Sequence, residues 1–314
     1  VSNLSTQGEL FAFILMIPMM FRPLNQIANK FNTLQMGMVA ADRVFKVLNT
    51  QSKISNKGDY CPDTVNGNIT FDKVQFSYKE GEPVINNFTL DIKSGETIAI
   101  VGATGAGKST IINLLNRFYE IDSGIITLDG IDINSFDLDN LRTHVAVVLQ
   151  DVFLFADTIL NNISLNDTTI TLEAVKAAAK EIGIHDFIES LPESYDYNVK
   201  ERGVMLSSGQ RQLISFLRAY VSNPAVLILD EATSSVDNQS EQLIQAATEK
   251  ITSNRTSIVI AHRLATIKKA DRIIVMDSGS IVEQGTHDSL LKKSSGFYKK
   301  LYEAQFTKTE TIEI

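Results

Sequence analysis

The chain has 314 residues, 44% hydrophobic and 21% charged, the make-up of ordinary globular protein with room for about two domains. A core of that size needs no disulfide staple, and the single cysteine, Cys61, excludes an intramolecular bridge and fits a reducing compartment. A net charge of −8 with no Lys/Arg-rich run argues against a surface that coats nucleic acid.

Residues 10–21 are almost wholly apolar (LFAFILMIPMMF) until Arg22 and Pro23 interrupt them. About a dozen such residues fall short of the ~20 that span a bilayer, and an acidic Glu9 with no basic residue before it does not suit a signal peptide. Taken alone, the segment reads as a core helix. The first residue is Val rather than Met, however, and a membrane helix entered partway along would look the same. Residues 25–48 read as one helix, with Ile27, Phe31, Leu34, Met38, Val44, Phe45 and Leu48 at helical spacing. The following stretch, 49–68, is polar and rich in Asn, Gly, Ser and Asp, and reads as a linker.

A second domain opens at Ile69. Ile69 and Phe71 alternate, the phase slips near Asp72-Lys73, and Val74, Phe76 and Tyr78 alternate again. Residues 88–92 form another alternating run, and 98–101 a continuous apolar one, as in a strand covered on both faces. That strand feeds a glycine-rich loop and then a helix carrying Ile111, Ile112, Leu114, Leu115 and Phe118. From about 134 to 222 the chain reads as mainly helical, with 171–182 stopping at Gly183 and 210–222 ending before Pro224. Residues 225–229 and 258–261 read as buried strands, and Asp277-Ser278-Gly279-Ser280 as a hairpin turn. Strands alternating with helices predict an α/β core with a helical insert.

The strongest chemical signal is Gly102-Ala103-Thr104-Gly105-Ala106-Gly107-Lys108-Ser109, a G-x-x-x-x-G-K-[ST] loop between a strand and a helix. Its glycines let backbone N–H groups face phosphate oxygens, Lys108 brings a mobile positive charge, and the Ser109 hydroxyl suits Mg²⁺. Such a loop needs a metal-holding acid at the end of a neighbouring buried strand. Asp230 follows five apolar residues, and Glu231 comes next: one carboxylate for the metal or its water, the other to orient an attacking water. Leu206-Ser207-Ser208-Gly209-Gln210 opens the helix after it as a second anion site, or as an ordinary helix cap. One nucleotide does not need two such sites in one chain; two chains packed head to tail would use both.

Together these motifs resemble the nucleotide-binding domain of an ABC transporter of the exporter type, over about residues 69–306, with a short tail at 307–314. The resemblance implies a P-loop NTPase core: a RecA-like mixed sheet, an antiparallel β subdomain, and a helical subdomain at about 134–222. It also turns residues 1–48 into a helical stub of a transmembrane domain, the last membrane helix running into a helical extension. By the same resemblance Gln150 senses Mg²⁺ and the attacking water, and Lys200-Glu201-Arg202-Gly203 touches the membrane domain. Ser234-Ser235-Val236-Asp237 resembles the D-loop, His262 the switch histidine, and Tyr78 the aromatic residue that stacks on adenine. From the residues alone, Tyr78 is as well explained as core and His262 as a structural strand-end histidine. His144, His185 and His287 have no such context. The family's usual signature is LSGGQ, and here Ser208 replaces the first glycine.

The implied cofactors are ATP and Mg²⁺. The implied nucleotide contacts are Tyr78, Gly102, Thr104, Gly105, Ala106, Gly107, Lys108, Ser109, Thr110, Ser207, Gly209, Gln210 and Asp237. Ser109, Gln150 and Asp230 are the implied metal group, and Glu231, His262 and Gln150 the catalytic one. The implied function is an ATP-hydrolysing motor domain powering export. Its partners would be a second nucleotide-binding domain (the same chain or another), its own transmembrane domain and a membrane, with the ATPase on the cytoplasmic side and no nucleic acid. The alternative is a soluble ABC-type ATPase acting on nucleic acid or in translation, disfavoured because neither a tandem cassette nor a coiled-coil insert is present.

Overall fold

The computed structural model describes residues 6–50, 54, 56–230, 238–261 and 263–305, in two compact units, Val1–Lys53 and Ile54–Ile314. The first unit is one helix, α1 (Gln7–Leu48), opened by a capping box in which the Glu9 carboxylate accepts from the Thr6 N–H at 2.8 Å. The sequence breaks this element at Arg22-Pro23, but the helix runs through both Pro18 and Pro23. Each proline removes one backbone donor without ending the helix, a pattern tolerated in membrane helices. No residue of α1 is buried, and Phe11, Met19 and Met20 are exposed over 70% or more of their surface. At 1.5 Å per residue its length is about 60 Å, twice the ~30 Å hydrocarbon layer, and its apolar stretch is long enough to cross a membrane.

The second unit begins earlier than Ile69. From Ile54 onward the stretch read as linker is stitched to it: Asn56 Nδ2 donates to the Asp137 carboxylate at 2.7 Å, and Tyr60 N to Ser135 O at 3.0 Å. The Asp129 carboxylate accepts from the Asn66 and Asn68 N–H groups. These backbone and side-chain polar groups bond to the domain, a difference that composition does not record.

Two sheets follow. Strands β1 (Ile69–Lys79) and β2 (Glu82–Ile92) join β4 (Ser123–Leu128) and β5 (Ile131–Asp132) in an antiparallel sheet of order β2-β1-β4-β5. The phase slip at Asp72-Lys73 is a bulge: the β1 register shifts between Phe71 and Val74, and Lys73 sits at φ +49°. β3 (Thr97–Gly102) lies in the second sheet and is followed by helix α2 (Lys108–Leu115). That helix stops one turn sooner than its apolar pattern suggests, leaving Phe118 beyond its end.

The second sheet has the order β10-β9-β3-β8-β7-β6, with β6 (Val145–Val148), β7 (Val226–Asp230), β8 (Thr256–Ile260) and β9 (Arg272–Asp277) parallel to β3. β10 (Ser280–Gly285) closes the other edge through the expected hairpin. β6 lies inside the region read as helical, directly after α3 (Leu138–His144). The rest of that region is helical: α4 (Ile159–Ser164), α5 (Leu172–Ile182), α6 (His185–Glu189) and α7 (Ser208–Val221). Thr171 caps the start of α5 and Gly183, at φ +82°, its end. Helices α8 (Asn238–Thr252), α9 (Leu264–Lys269), α10 (His287–Leu291) and α11 (Phe297–Gln305) complete the unit. Alternate residues of β3 feed two cores: Ile98 and Ile100 face the antiparallel sheet, Ala99 and Val101 the helical side. The mixed sheet, the antiparallel sheet and the helical insert are the parts that the resemblance implies, and the parallel strands bring the ends of β3, β6 and β7 to one edge of the sheet.

Candidate functional site

The glycine-rich loop turns out of β3 and into α2. Gly105 and Gly107 stand at φ +84° and +97°, and Gly107 is the residue from which α2 starts. A Cβ at Gly107 would lie 2.8 Å from Ile85 Cδ1 and 3.3 Å from Val84 O, on a backbone that side chains avoid. Gly107→Ala is therefore expected to lower unfolding free energy by about 1–3 kcal/mol, read as a shift of the urea midpoint.

Among the described residues, the N–H groups of Gly105, Gly107, Lys108 and Ser109 have no backbone acceptor. They form a cradle of unused donors at a helix N-terminus, the geometry that receives an anion. The Lys108 side chain is buried, and its Nζ donates to Gly102 O at 2.8 Å and Ala103 O at 3.0 Å. Burial pulls its pKa below the ordinary lysine value, with the charge of Asp230 opposing the shift. An ammonium held this way is short of negative charge, which phosphate oxygens supply.

Asp230 ends β7, and Gln150 lies two residues beyond β6, the strand paired with β7. A cleft of about 430 Å³ gathers Tyr78, Thr104, Gly105, Gly107, Lys108, Ser109, Thr110, Gln150 and Asp230. Val84 and Ile260 also line it, two residues with no chemical signature in the sequence. Gly102 and Ala106 lie behind the cleft as supports: Gly102 O accepts from Lys108, and Ala106 O accepts from Gly279 N at 3.1 Å. Tyr78 is not a core residue despite its phase with Phe76, because 46% of its surface is exposed. Glu231, Asp237 and His262 lie outside the described residues.

Ser207, Gly209 and Gln210 do not line this cleft. Ser207 caps α7: its Oγ accepts from Gln210 N at 3.2 Å, while Gln210 Oε1 accepts from Ser207 N at 3.0 Å. The capping reading thus holds, and it is compatible with the other, since the Ser207 hydroxyl is engaged as an acceptor and keeps its own hydrogen to give. Ser208 occupies the first position of α7, an exposed helical site where a side chain costs nothing that glycine would save. The remaining described histidines make structural bonds: His144 to Pro62 O, His185 to the Tyr195 hydroxyl, His287 to the Tyr298 hydroxyl. Beside the Lys200–Gly203 loop, Val204 and Met205 stand exposed.

The ABC transporter family matches residues 85–234. An uncharacterized ABC transporter ATP-binding protein of Bacillus subtilis, YknV, is 42% identical over 303 residues, 96% of this chain and 50% of that protein. An ATP-dependent lipid A-core flippase of Chromohalobacter salexigens is 42% identical over 306 residues, 97% of this chain and 52% of its own length. A solved bacterial Atm1-family ABC exporter, with ATP bound, superposes with a TM-score of 0.78 at 37% identity, covering 97% of this chain and 53% of the other. The chain spans about half the length of the curated relatives it matches. With the cradle, the strand-end acid and the mixed sheet in place, the chain belongs to the ABC transporter family and carries an ATP-binding domain of the exporter type.

Proposed function

We propose that this chain is the ATP-hydrolysing motor portion of an ABC exporter, working on the cytoplasmic side of a membrane that α1 enters. The observation that carries the reading is the convergence of Lys108, Ser109, Gln150 and Asp230 on one cleft beside four unused backbone donors. The donors and Lys108 would hold the triphosphate. Ser109, Gln150 and Asp230 offer a hydroxyl, an amide oxygen and a carboxylate, hard donors of the kind Mg²⁺ takes. A cation bound by so few protein groups would arrive with the substrate phosphates. When bound, Mg²⁺ would neutralise charge on the outer phosphate oxygens.

In this reading Glu231 would orient and deprotonate the attacking water, Gln150 would sense Mg²⁺ and that water, and His262 would sit near the γ-phosphate. Ser207 and Gly209, off the cleft, would complete the site of a second nucleotide-binding domain, so ATP would close a dimer and hydrolysis reopen it. Exposed Val204 and Met205 suit a contact with the membrane domain. The cargo is of the kinds exporters move, and the residues that would select it are not on this domain.

The test is phosphate release from ATP by the purified chain in detergent, with and without EDTA. Release that stops on chelation and returns with Mg²⁺ is expected. Failure to bind ATP, or turnover indifferent to chelation, would remove the Mg-ATPase reading.

A further inference from the structure

Tyr78 lines the nucleotide cleft with 46% of its surface exposed, a degree at which a lone tyrosine samples several rotamers. Here it lacks that freedom. Its ring stands edge-to-face with Phe76 at 4.8 Å and 85°, and with Tyr119 at 4.9 Å and 89°. Its hydroxyl accepts from Asn113 Nδ2 at 3.2 Å and lies 3.3 Å from Thr110 Oγ1. The two rings fix the plane of Tyr78, and the two polar contacts fix its long axis.

The supports come from elements already placed. Phe76 is anchored in the core face of β1. Thr110 and Asn113 lie one turn apart on α2, the helix whose first turn forms the phosphate cradle. Tyr119 follows α2 on a turn set by Arg117, which stands at φ +48° with its buried guanidinium donating to Ile133 O. None of the ring contacts around Tyr78 is a parallel stack, and 46% of its surface stays exposed to a planar ligand.

We infer that Tyr119 and Asn113 are positioning residues that hold the Tyr78 ring ready to stack on the nucleotide base, tying base recognition to the phosphate-binding helix. The inference rests on the ATP-binding reading above. Ordering an aromatic side chain in advance removes part of the entropy that binding would otherwise lose. Without the supports, ATP affinity falls, while a ligand with phosphates and no base is unaffected.

The experiment titrates Mg-ATP and Mg-tripolyphosphate by calorimetry into the full chain and into Tyr119→Ala, Tyr119→Phe and Asn113→Ala. Tyr119 is 44% exposed, so its truncation is compatible with folding. Tyr119→Ala is expected to weaken ATP about 2- to 10-fold with tripolyphosphate unchanged, Asn113→Ala to weaken it in the same sense, and Tyr119→Phe, which keeps the ring, to restore wild-type affinity. Wild-type ATP affinity in both alanine variants would overturn the inference, as would equal weakening of both ligands, the mark of a merely structural role. Absence of ATP binding in the wild type would instead sink the ATP reading itself.

Discussion

Lys108→Ala is expected to bind ATP about 10- to 150-fold more weakly, the loss of one charge-assisted contact of about 1.5–3 kcal/mol, and to release no measurable phosphate. The structure makes this a binding effect and not a folding one. Burial holds the Lys108 pKa below its ordinary value, so in the free protein the charged form is disfavoured relative to the unfolded chain. For a cation with a lowered folded pKa the sign is plain: at pH below that pKa the ammonium costs stability, and the cost disappears as pH rises through the ordinary lysine value. At neutral pH the alanine variant should therefore melt at the wild-type temperature or slightly above it. Calorimetry and a thermal melt on the same sample check both halves, and a variant that melts lower would show that Lys108 acts as a structural clamp through Gly102 O and Ala103 O.

The loop was legible because its chemistry needs particular residues at particular steps, and so were the bulge at Lys73, the cap at Gly183 and the Ser278-Gly279 turn, each marked by local conformational preference. What was hidden depended on tertiary contact. The four residues of β6 are too few to show a period, and only their pairing with β7 makes them a strand. Residues 56–68 have the composition of a linker, and their hydrogen bonds to Asp129, Ser135 and Asp137 distinguish a strap from a tether. Arg22 and Pro23 argue for a break that α1 does not show, because propensity in water is a poor guide to a helix with no buried face. In the site, Asn113 and Tyr119 carried no signal at all: their role lies in what they touch, and Tyr78 could be told from a core residue only by its exposure.

Glu231→Gln is the sharper test of the chemistry. Glu231 follows Asp230 at the end of β7, and Gln keeps its size while removing its capacity to take a proton. Turnover should fall about 10²- to 10⁴-fold, with ATP affinity preserved, because the cradle and Lys108 are untouched. ATP then persists long enough to accumulate the closed pair, seen as a doubling of mass by light scattering. The complementary contact can be removed without disturbing the fold. Ser207→Asp keeps a good N-cap for α7, and its carboxylate even favours the helix N-terminus. It would, however, set a negative charge against the partner's γ-phosphate. In the Glu231→Gln background, Ser207→Asp should leave ATP binding and melting temperature intact and abolish the mass doubling. A Glu231→Gln variant that turns over ATP near the wild-type rate would place the proton acceptor elsewhere. A dimer that survives Ser207→Asp would confine Ser207 to capping its own helix, and each cleft would then hold its nucleotide with residues of a single chain.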